Sequence, residues 1–161
     1  YISIVNKADR YCWFMTPYLI ITDEMTHALS LAARRGVDVR IITPGIPDKK
    51  LIYSIPRSFY HNLVQDGVRI YEWTPGFCHA KMSVADDCMA TCGTINLDYR
   101  SLYHHFENGC FMADCDAVLD IRRDMEQIFE QCREVTEKYK SGRSATLRLG
   151  QLFLRLFAEL L

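Results

Sequence analysis

Apolar and polar positions alternate along this chain with two different periods, and their order predicts an α/β architecture. Residues 10–16 (RYCWFMT) form an aromatic, apolar run suited to a buried strand, closed by Pro17. From Asp23, an acceptable N-cap, Met25, Ala28, Leu29, Ala32 and Ala33 recur at helical spacing up to Arg35, and Gly36 is the expected stop. Residues 37–43 (VDVRIIT) read as the next strand. A strand, a helix, a glycine and a strand in that order imply a parallel crossover. The period then repeats: a helix from Ser54 or Ser58 to Gln65, a stop at Gly67, and a strand over Val68–Trp73. Residues 1–9 read as the tail of a helix, so the pattern is under way when the sequence opens with Tyr1, as in a piece of a longer protein.

The second half changes character. Thr74-Pro75-Gly76 is a turn, after which residues 79–85 alternate as a strand does. His79, Lys81 and Ser83 fall on one side of it, and Ala80, Met82 and Val84 on the other, core-facing side. Asp86-Asp87 is turn chemistry, Met89–Cys92 a returning strand, and Gly93 a second sharp turn presenting Thr94 and Asn96. A short helical piece capped near Asp98 is expected over Asn96–His104, and a strand carrying Glu107 over Phe106–Met112. A long helix should run from Asp116 to about Lys138, its face made by Val118, Ile121, Met125, Ile128, Phe129 and Cys132. Residues 138–144 (KYKSGRS) form a basic linker. Residues 145–161 then form an amphipathic stripe of Leu149, Leu152, Phe153, Leu156, Phe157 and Leu160, interrupted by Arg148, Gln151, Arg155 and Glu159. That tail is too short and too charged to span a bilayer and suits an interfacial helix, or else a helix packed on this domain or on a missing one. The division is therefore a folded domain over 1–140 followed by linker and tail over 141–161.

Composition narrows the class only modestly. The 161 residues are 49% hydrophobic and 24% charged, enough for one domain with a core. The net charge of -1 argues against a broadly basic nucleic-acid binder and leaves room for a local basic groove. Seven cysteines with no CxxC pair read as reduced structural thiols of a cytosolic setting. A metal site from Cys78, His79, Cys88 and Cys92 is disfavoured, because adjacent strand residues point to opposite faces.

The chemistry concentrates in residues 79–107. His79 and Lys81 share a strand face, and a lysine is almost never buried without a partner, so that face should be a wet cleft. An imidazole attacks phosphorus or moves protons near neutral pH, an ammonium meets nonbridging oxygens, and Asn96 donates without adding charge. Glu107 would hold the imidazole in one tautomer. His27, His61, His104 and His105 lack a lysine two residues on and read as local hydrogen bonders. Thr16-Pro17-Tyr18 stands at a strand's carboxyl end, where α/β proteins bind ligands, and serves equally well as a packed strand exit. Lys49 and Lys50 are surface cations within reach of lipid phosphates or of solvent only.

The arrangement His79-x-Lys81-x4-Asp86-x6-Gly93-Thr94-x-Asn96 resembles the HKD signature of the phospholipase D superfamily. Thr16-Pro17-Tyr18, Arg35-Gly36-Val37-Asp38-Val39-Arg40, Tyr71 to Pro75, Asn96-Leu97-Asp98-x-Arg100-Ser101, Phe106-Glu107-Asn108 and Leu154-Arg155-Leu156-Phe157-Ala158 are similar to the carboxyl-terminal catalytic half of bacterial cardiolipin synthases. The resemblance implies a phospholipase D-like α-β-α sandwich with a mixed, largely parallel sheet, one half of a pseudo-twofold pair. Its partner would be an amino-terminal HKD half or a second copy. It implies a phosphatidyltransferase at the cytoplasmic side of the cell membrane, with no metal and no cofactor, joining two phosphatidylglycerol molecules through a phosphohistidine. His79, Lys81, Asp86 and Glu107 would be catalytic, Asp86 chiefly through the fold. Asn96, Thr94 and Lys81 would hold the phosphate. Two alternatives stand beside it: a phosphodiesterase or nuclease working as a homodimer of single-motif chains, and a non-catalytic half that only pairs.

Overall fold

The computed structural model describes residues 1–46 and 54–141; the expected loop lysines Lys49 and Lys50 and the amphipathic tail lie outside them. In chain order the elements are α1 (Ile2–Lys7), β1 (Tyr11–Met15), β2 (Leu19–Ile20), α2 (Asp23–Arg34), β3 (Asp38–Pro44), α3 (Pro56–Gln65) and β4 (Arg69–Trp73). After these come β5 (Met82–Ala85), β6 (Met89–Gly93), β7 (Leu97–Asp98), a single π-helical turn (Arg100–His104), β8 (Gly109–Ala113), α4 (Asp116–Gln131), β9 (Cys132–Glu134) and α5 (Thr136–Lys140).

Seven strands form one sheet in the order β8-β6-β5-β1-β3-β4-β9. The expected crossovers are present: β1, β3 and β4 are parallel neighbours at the centre, with Phe14 opposite Ile41 and Ile41 opposite Ile70. Antiparallel strands flank them on both sides, which makes the sheet mixed. Each strand residue chooses a layer by parity. Cys12, Phe14, Val39, Ile41 and Ile70 face a core shared with α1, α2, α3 and α5. Tyr11, Trp13, Met15, Ile42, Tyr71 and Val84 face a second core closed by Val118 and Met125 of α4. Helices on both faces of the sheet explain why the central strands read as continuous apolar runs. This is the α-β-α sandwich that the resemblance implied.

Several element boundaries differ from the expectation, each for a physical reason. Thr22, not Asp23, caps α2: its Oγ1 accepts from Met25 N at 3.2 Å, and Asp23 sits in the first turn. At the other end Gly36 adopts φ 94°, the left-handed stop a Cβ would resist. The helix expected over 116–138 breaks at Cys132. Residues 132–134 instead add an antiparallel edge strand to β4, pairing Glu134 with Tyr71 and Cys132 with Trp73. Ion pairs across that edge hold it: Arg133 with buried Glu72 at 2.6 Å and Arg69 with Glu134 at 2.8 Å. The chain thereby rounds the sheet edge and buries Val135 and Tyr139 in the opposite core. Finally, β5 begins at Met82 and β8 at Gly109, so His79, Lys81 and Glu107 precede their strands instead of lying within them.

Candidate functional site

Strand direction decides where the chemistry gathers. The chain leaves the carboxyl end of β4, and β5 lies three places along the sheet beyond β3 and β1. Residues 74–81 must therefore pass over the carboxyl ends of the parallel strands before β5 starts, with Met82 opposite Met15. β6 runs back to the same edge, with Cys92 opposite Met82, so Gly93, Thr94 and Asn96 emerge there. β8 starts at that edge too, Gly109 opposite Gly93, so Glu107 arrives just before it. Three separate segments of the chain meet at one end of the sheet, where open α/β sheets bind ligands.

The imidazole and the ammonium do meet. Lys81 Nζ lies 2.8 Å from His79 Nδ1 and 3.1 Å from Nε2, and donates to the His79 carbonyl at 2.7 Å. His79 is exposed, and its ring stacks on exposed Phe77, centroids 5.7 Å apart and 16° from parallel. Partial burial pushes the Lys81 ammonium below its ordinary pKa; the charges of Glu107, Cys78 and Asp98 act in the opposite sense. Ala80, Met82 and Val84 pack on the α4 side. Ser83 points the other way and is fully buried, sharing a 2.7 Å hydrogen bond with Thr91, so it is not part of the cleft wall.

The turn after β6 depends on glycine. A Cβ on Gly93 would stand 2.4 Å from the Asn108 carbonyl oxygen and 2.6 Å from Gly109 Cα. That close approach lets Thr94 N donate to Asn108 O at 2.8 Å while Asn108 N donates back to Thr94 Oγ1 at 2.9 Å. Thr94 Oγ1 in turn donates to Glu107 Oε2. With the Ser101 hydroxyl, that bond holds the Glu107 carboxyl below its ordinary pKa. Glu107 Oε1 lies 3.9 Å from His105 Nδ1. So the carboxylate expected to orient His79 is engaged by Thr94, Ser101 and His105, and it reaches Lys81 through its field. Asn96 Nδ2 donates to Ser101 Oγ at 3.1 Å, and its Oδ1 is buried without a hydrogen-bond partner.

Asp86 does not join this group. It sits beyond the far end of β5, about 16 Å of extended chain away from Lys81, in the left-handed conformation with φ 52°. Its carboxylate accepts from the backbone N–H groups of Asp9 (2.6 Å), Arg10 (2.9 Å) and Tyr11 (2.8 Å), pinning the entry to β1. Asp86, expected to act chiefly through the fold, here holds the strand framework. Neighbouring Asp87 is held by Arg10 at 2.7 Å and by Tyr11 Oη at 2.9 Å.

Three further residues tie this end of the sheet together: Thr16 at the strand exit, Asp98 as the cap of the turn, and Ser101, to which the sequence assigned no role. Buried Thr16 donates to Tyr18 O at 2.8 Å and accepts from Leu97 N at 3.1 Å, tying the β1 exit to the segment after Asn96. Asp98, buried, accepts from Ser101 N at 2.7 Å, and Ser101, also buried, accepts from Asn96 and helps lower the Glu107 pKa. The signals in the sequence were the strand exit for Thr16 and cap chemistry for Asp98; for Ser101 there was only a small polar side chain after Arg100.

Comparison with known proteins accords with this geometry. Residues 1–132 match the profile of the family described as cardiolipin synthase, PLD-like domain. A protein of Streptococcus mutans, described as uncharacterized, is 50% identical over all 161 residues, which make up 35% of its length. A cardiolipin synthase of Clostridium perfringens is 38% identical over the same span, 34% of its length. The chain therefore spans about a third of the relatives it matches. Among solved structures, the phospholipase D family member Nuc from Salmonella typhimurium superposes with a TM-score of 0.71 at 17% identity, covering 83% of this chain and 86% of that one. With a match that runs through every strand of the site, this chain belongs to the PLD-like domain family of cardiolipin synthases.

Proposed function

We propose that this chain is the carboxyl-terminal catalytic half of a cardiolipin synthase. The half would act with an amino-terminal HKD half on phosphatidylglycerol, at the cytoplasmic surface of the cell membrane. The observation that carries the reading is the Lys81 ammonium within hydrogen-bond reach of an exposed His79 ring at the carboxyl ends of the parallel strands. The partner half's histidine would attack the phosphorus of phosphatidylglycerol, forming a phosphohistidine. His79 would give the departing glycerol alkoxide its proton. The same imidazole, now neutral, would take the proton of a second phosphatidylglycerol hydroxyl as that oxygen attacks phosphorus and the P–N bond breaks. Lys81 and Asn96 would stabilise charge on the phosphoryl oxygens. Exposed Phe77 and Phe106 flank the site and suit a lipid surface. Among the described residues no helix is long and apolar enough to cross a membrane.

The test uses the chain in its full-length protein with labelled phosphatidylglycerol. His79→Asn should abolish cardiolipin formation while leaving the fold intact, and undiminished turnover would overturn the assignment. A second reading has one observation in its favour: Nuc, of nearly the same length, superposes over most of both chains. In that reading two copies of this chain form a phosphodiesterase. Particle mass together with parallel assays on lipid and DNA separates the two, and a catalytically silent half would fail both assays.

A further inference from the structure

The amide at the mouth of the site is held by one buried hydroxyl, which also acts on the neighbouring carboxylate. Ser101 lies in the π-helical turn, and its backbone N–H is anchored at 2.7 Å to buried Asp98. Its Oγ accepts from Asn96 Nδ2 at 3.1 Å, and the hydroxyl is among the neighbours that lower the Glu107 carboxyl's pKa. A hydroxyl carries a single proton. With Asn96 donating to the oxygen, that proton is free to turn toward the carboxylate, which gives the direction amide to hydroxyl to carboxylate. One Asn96 hydrogen is thereby committed to the protein. Among the described residues the amide's Oδ1 is buried with no hydrogen-bond partner, so there the orientation of the side chain rests on this bond. Glu107 is held from the other side by Thr94.

We infer that Ser101 is a positioning residue for phosphate binding: it orients Asn96 so that its second amide hydrogen is offered to a phosphoryl oxygen, with its own hydroxyl proton left to face the Glu107 side of the site. The inference rests on the reading of Asn96 as a phosphate donor and deepens it. The ligand class is a phosphate monoester or diester dianion or monoanion, and the shared chemistry is the nonbridging oxygen.

Three variants isolate the hydroxyl: Ser101→Ala removes it, Ser101→Cys keeps the volume with a poor donor and acceptor, and Ser101→Thr keeps the hydroxyl. The first readout is the Asn96 side-chain amide resonance of this chain titrated with inorganic phosphate. Wild type and Ser101→Thr should respond alike. Ser101→Ala and Ser101→Cys should bind phosphate about tenfold or more weakly, the scale of a lost hydrogen bond in a charged network. Their free Asn96 amide should already be shifted before phosphate is added. The second readout is the pH profile of labelled phosphatidylglycerol transfer by the full-length protein. Losing a donor lets the Glu107 carboxyl rise, so the acid limb of Ser101→Ala should move to higher pH, a change that simple loosening of the fold would not produce. If Ser101→Ala does not fold, Ser101→Cys carries the comparison. Wild-type phosphate affinity and an unmoved Asn96 amide in both variants would overturn the inference. Phosphate binding that depends on Ser101, in a protein that forms no cardiolipin, would instead overturn the reaction assigned above and leave the positioning role standing.

Discussion

Removing the Asp86 carboxylate should damage the fold while sparing the chemistry. Three backbone N–H groups, of Asp9, Arg10 and Tyr11, converge on its two oxygens: Oδ1 takes two and Oδ2 takes one. Hydrogen bonds to a charged group contribute about 1.5–3 kcal/mol each. These lie where water can replace part of the loss, so about 1 kcal/mol apiece is the fairer figure. Asp86 also has φ 52°, where alanine costs about 1 kcal/mol more than aspartate or asparagine. Asp86→Ala should therefore lose about 4 kcal/mol. Asp86→Asn keeps the conformation and the oxygen that serves two amides, but turns an NH2 toward the third, for a loss of about 1–2 kcal/mol. At about 2–4 °C per kcal/mol for a domain of this size, the alanine variant should melt about 10 °C lower and the asparagine variant a few degrees lower. Thermal and urea unfolding followed by circular dichroism measures both. Well below its melting point, Asp86→Asn should bind phosphate and turn over lipid much as wild type does. An Asp86→Asn protein that is stable yet inactive would refute the structural role and return Asp86 to the reaction. An Asp86→Ala protein as stable as wild type would refute the framework argument itself.

Gly93→Ala should destabilise the chain by about 2 kcal/mol or more, since the new Cβ meets backbone on both sides; urea unfolding gives the value, and a loss under 0.5 kcal/mol would show that the β6–β8 turn relaxes freely. Glu134 should make stability pH-dependent in acid. Hydrogen bonding from Arg69, with Thr136 and Tyr71, lowers its carboxyl to about 2, against about 4.3 in an unfolded chain. A folded pKa below the unfolded one means the contribution is complete above about 4.3 and fades as pH falls toward about 2. Glu134→Gln should flatten that part of the stability curve, and identical curves for the two proteins would contradict it. Removing the buried carboxylate of Glu72, which pairs with Arg57 and Arg133, should cost about 3 kcal/mol in Glu72→Ala, with the β4–β9 edge opening first in hydrogen exchange.

The fold was legible wherever burial on one or two faces imposed a period. β1, β3 and β4 are apolar almost throughout because helices cover both sides of the sheet, and α2 declares itself through Met25, Ala28, Leu29 and Ala32. What escaped was set by contacts distant in sequence. Nothing in Cys132-Arg133-Glu134 is strand-like, and the helical stripe of Ile121, Met125, Ile128 and Cys132 runs straight into it. The edge strand exists because Glu72 and Arg69 on β4 supply charges opposite Arg133 and Glu134. The two-stranded pair of β2 and β7 was missed for the same reason, since Leu19 and Leu97 lie far apart in the chain.

The same division runs through the site. His79 and Lys81 could be placed together because two residues of extended chain return a side chain to the same face, and that holds although neither lies within β5. Extending the parity rule to Ser83 failed because the sheet has two buried faces: once the chain enters β5, the side opposite Val84 is another core, not a cleft. Glu107 shows the limit most clearly. Its polarity among apolar residues signalled a partner, but alternation carries no information about which one. The partners, Thr94 and Ser101, come from the turn after β6 and from the π-helical turn, and only the edge-to-edge meeting of β6 and β8 brings them to the carboxylate. A motif written as spacings therefore locates the reacting imidazole and its cation. The hydroxyl groups that aim the amide and the acid are set by the sheet, and they must be read from it.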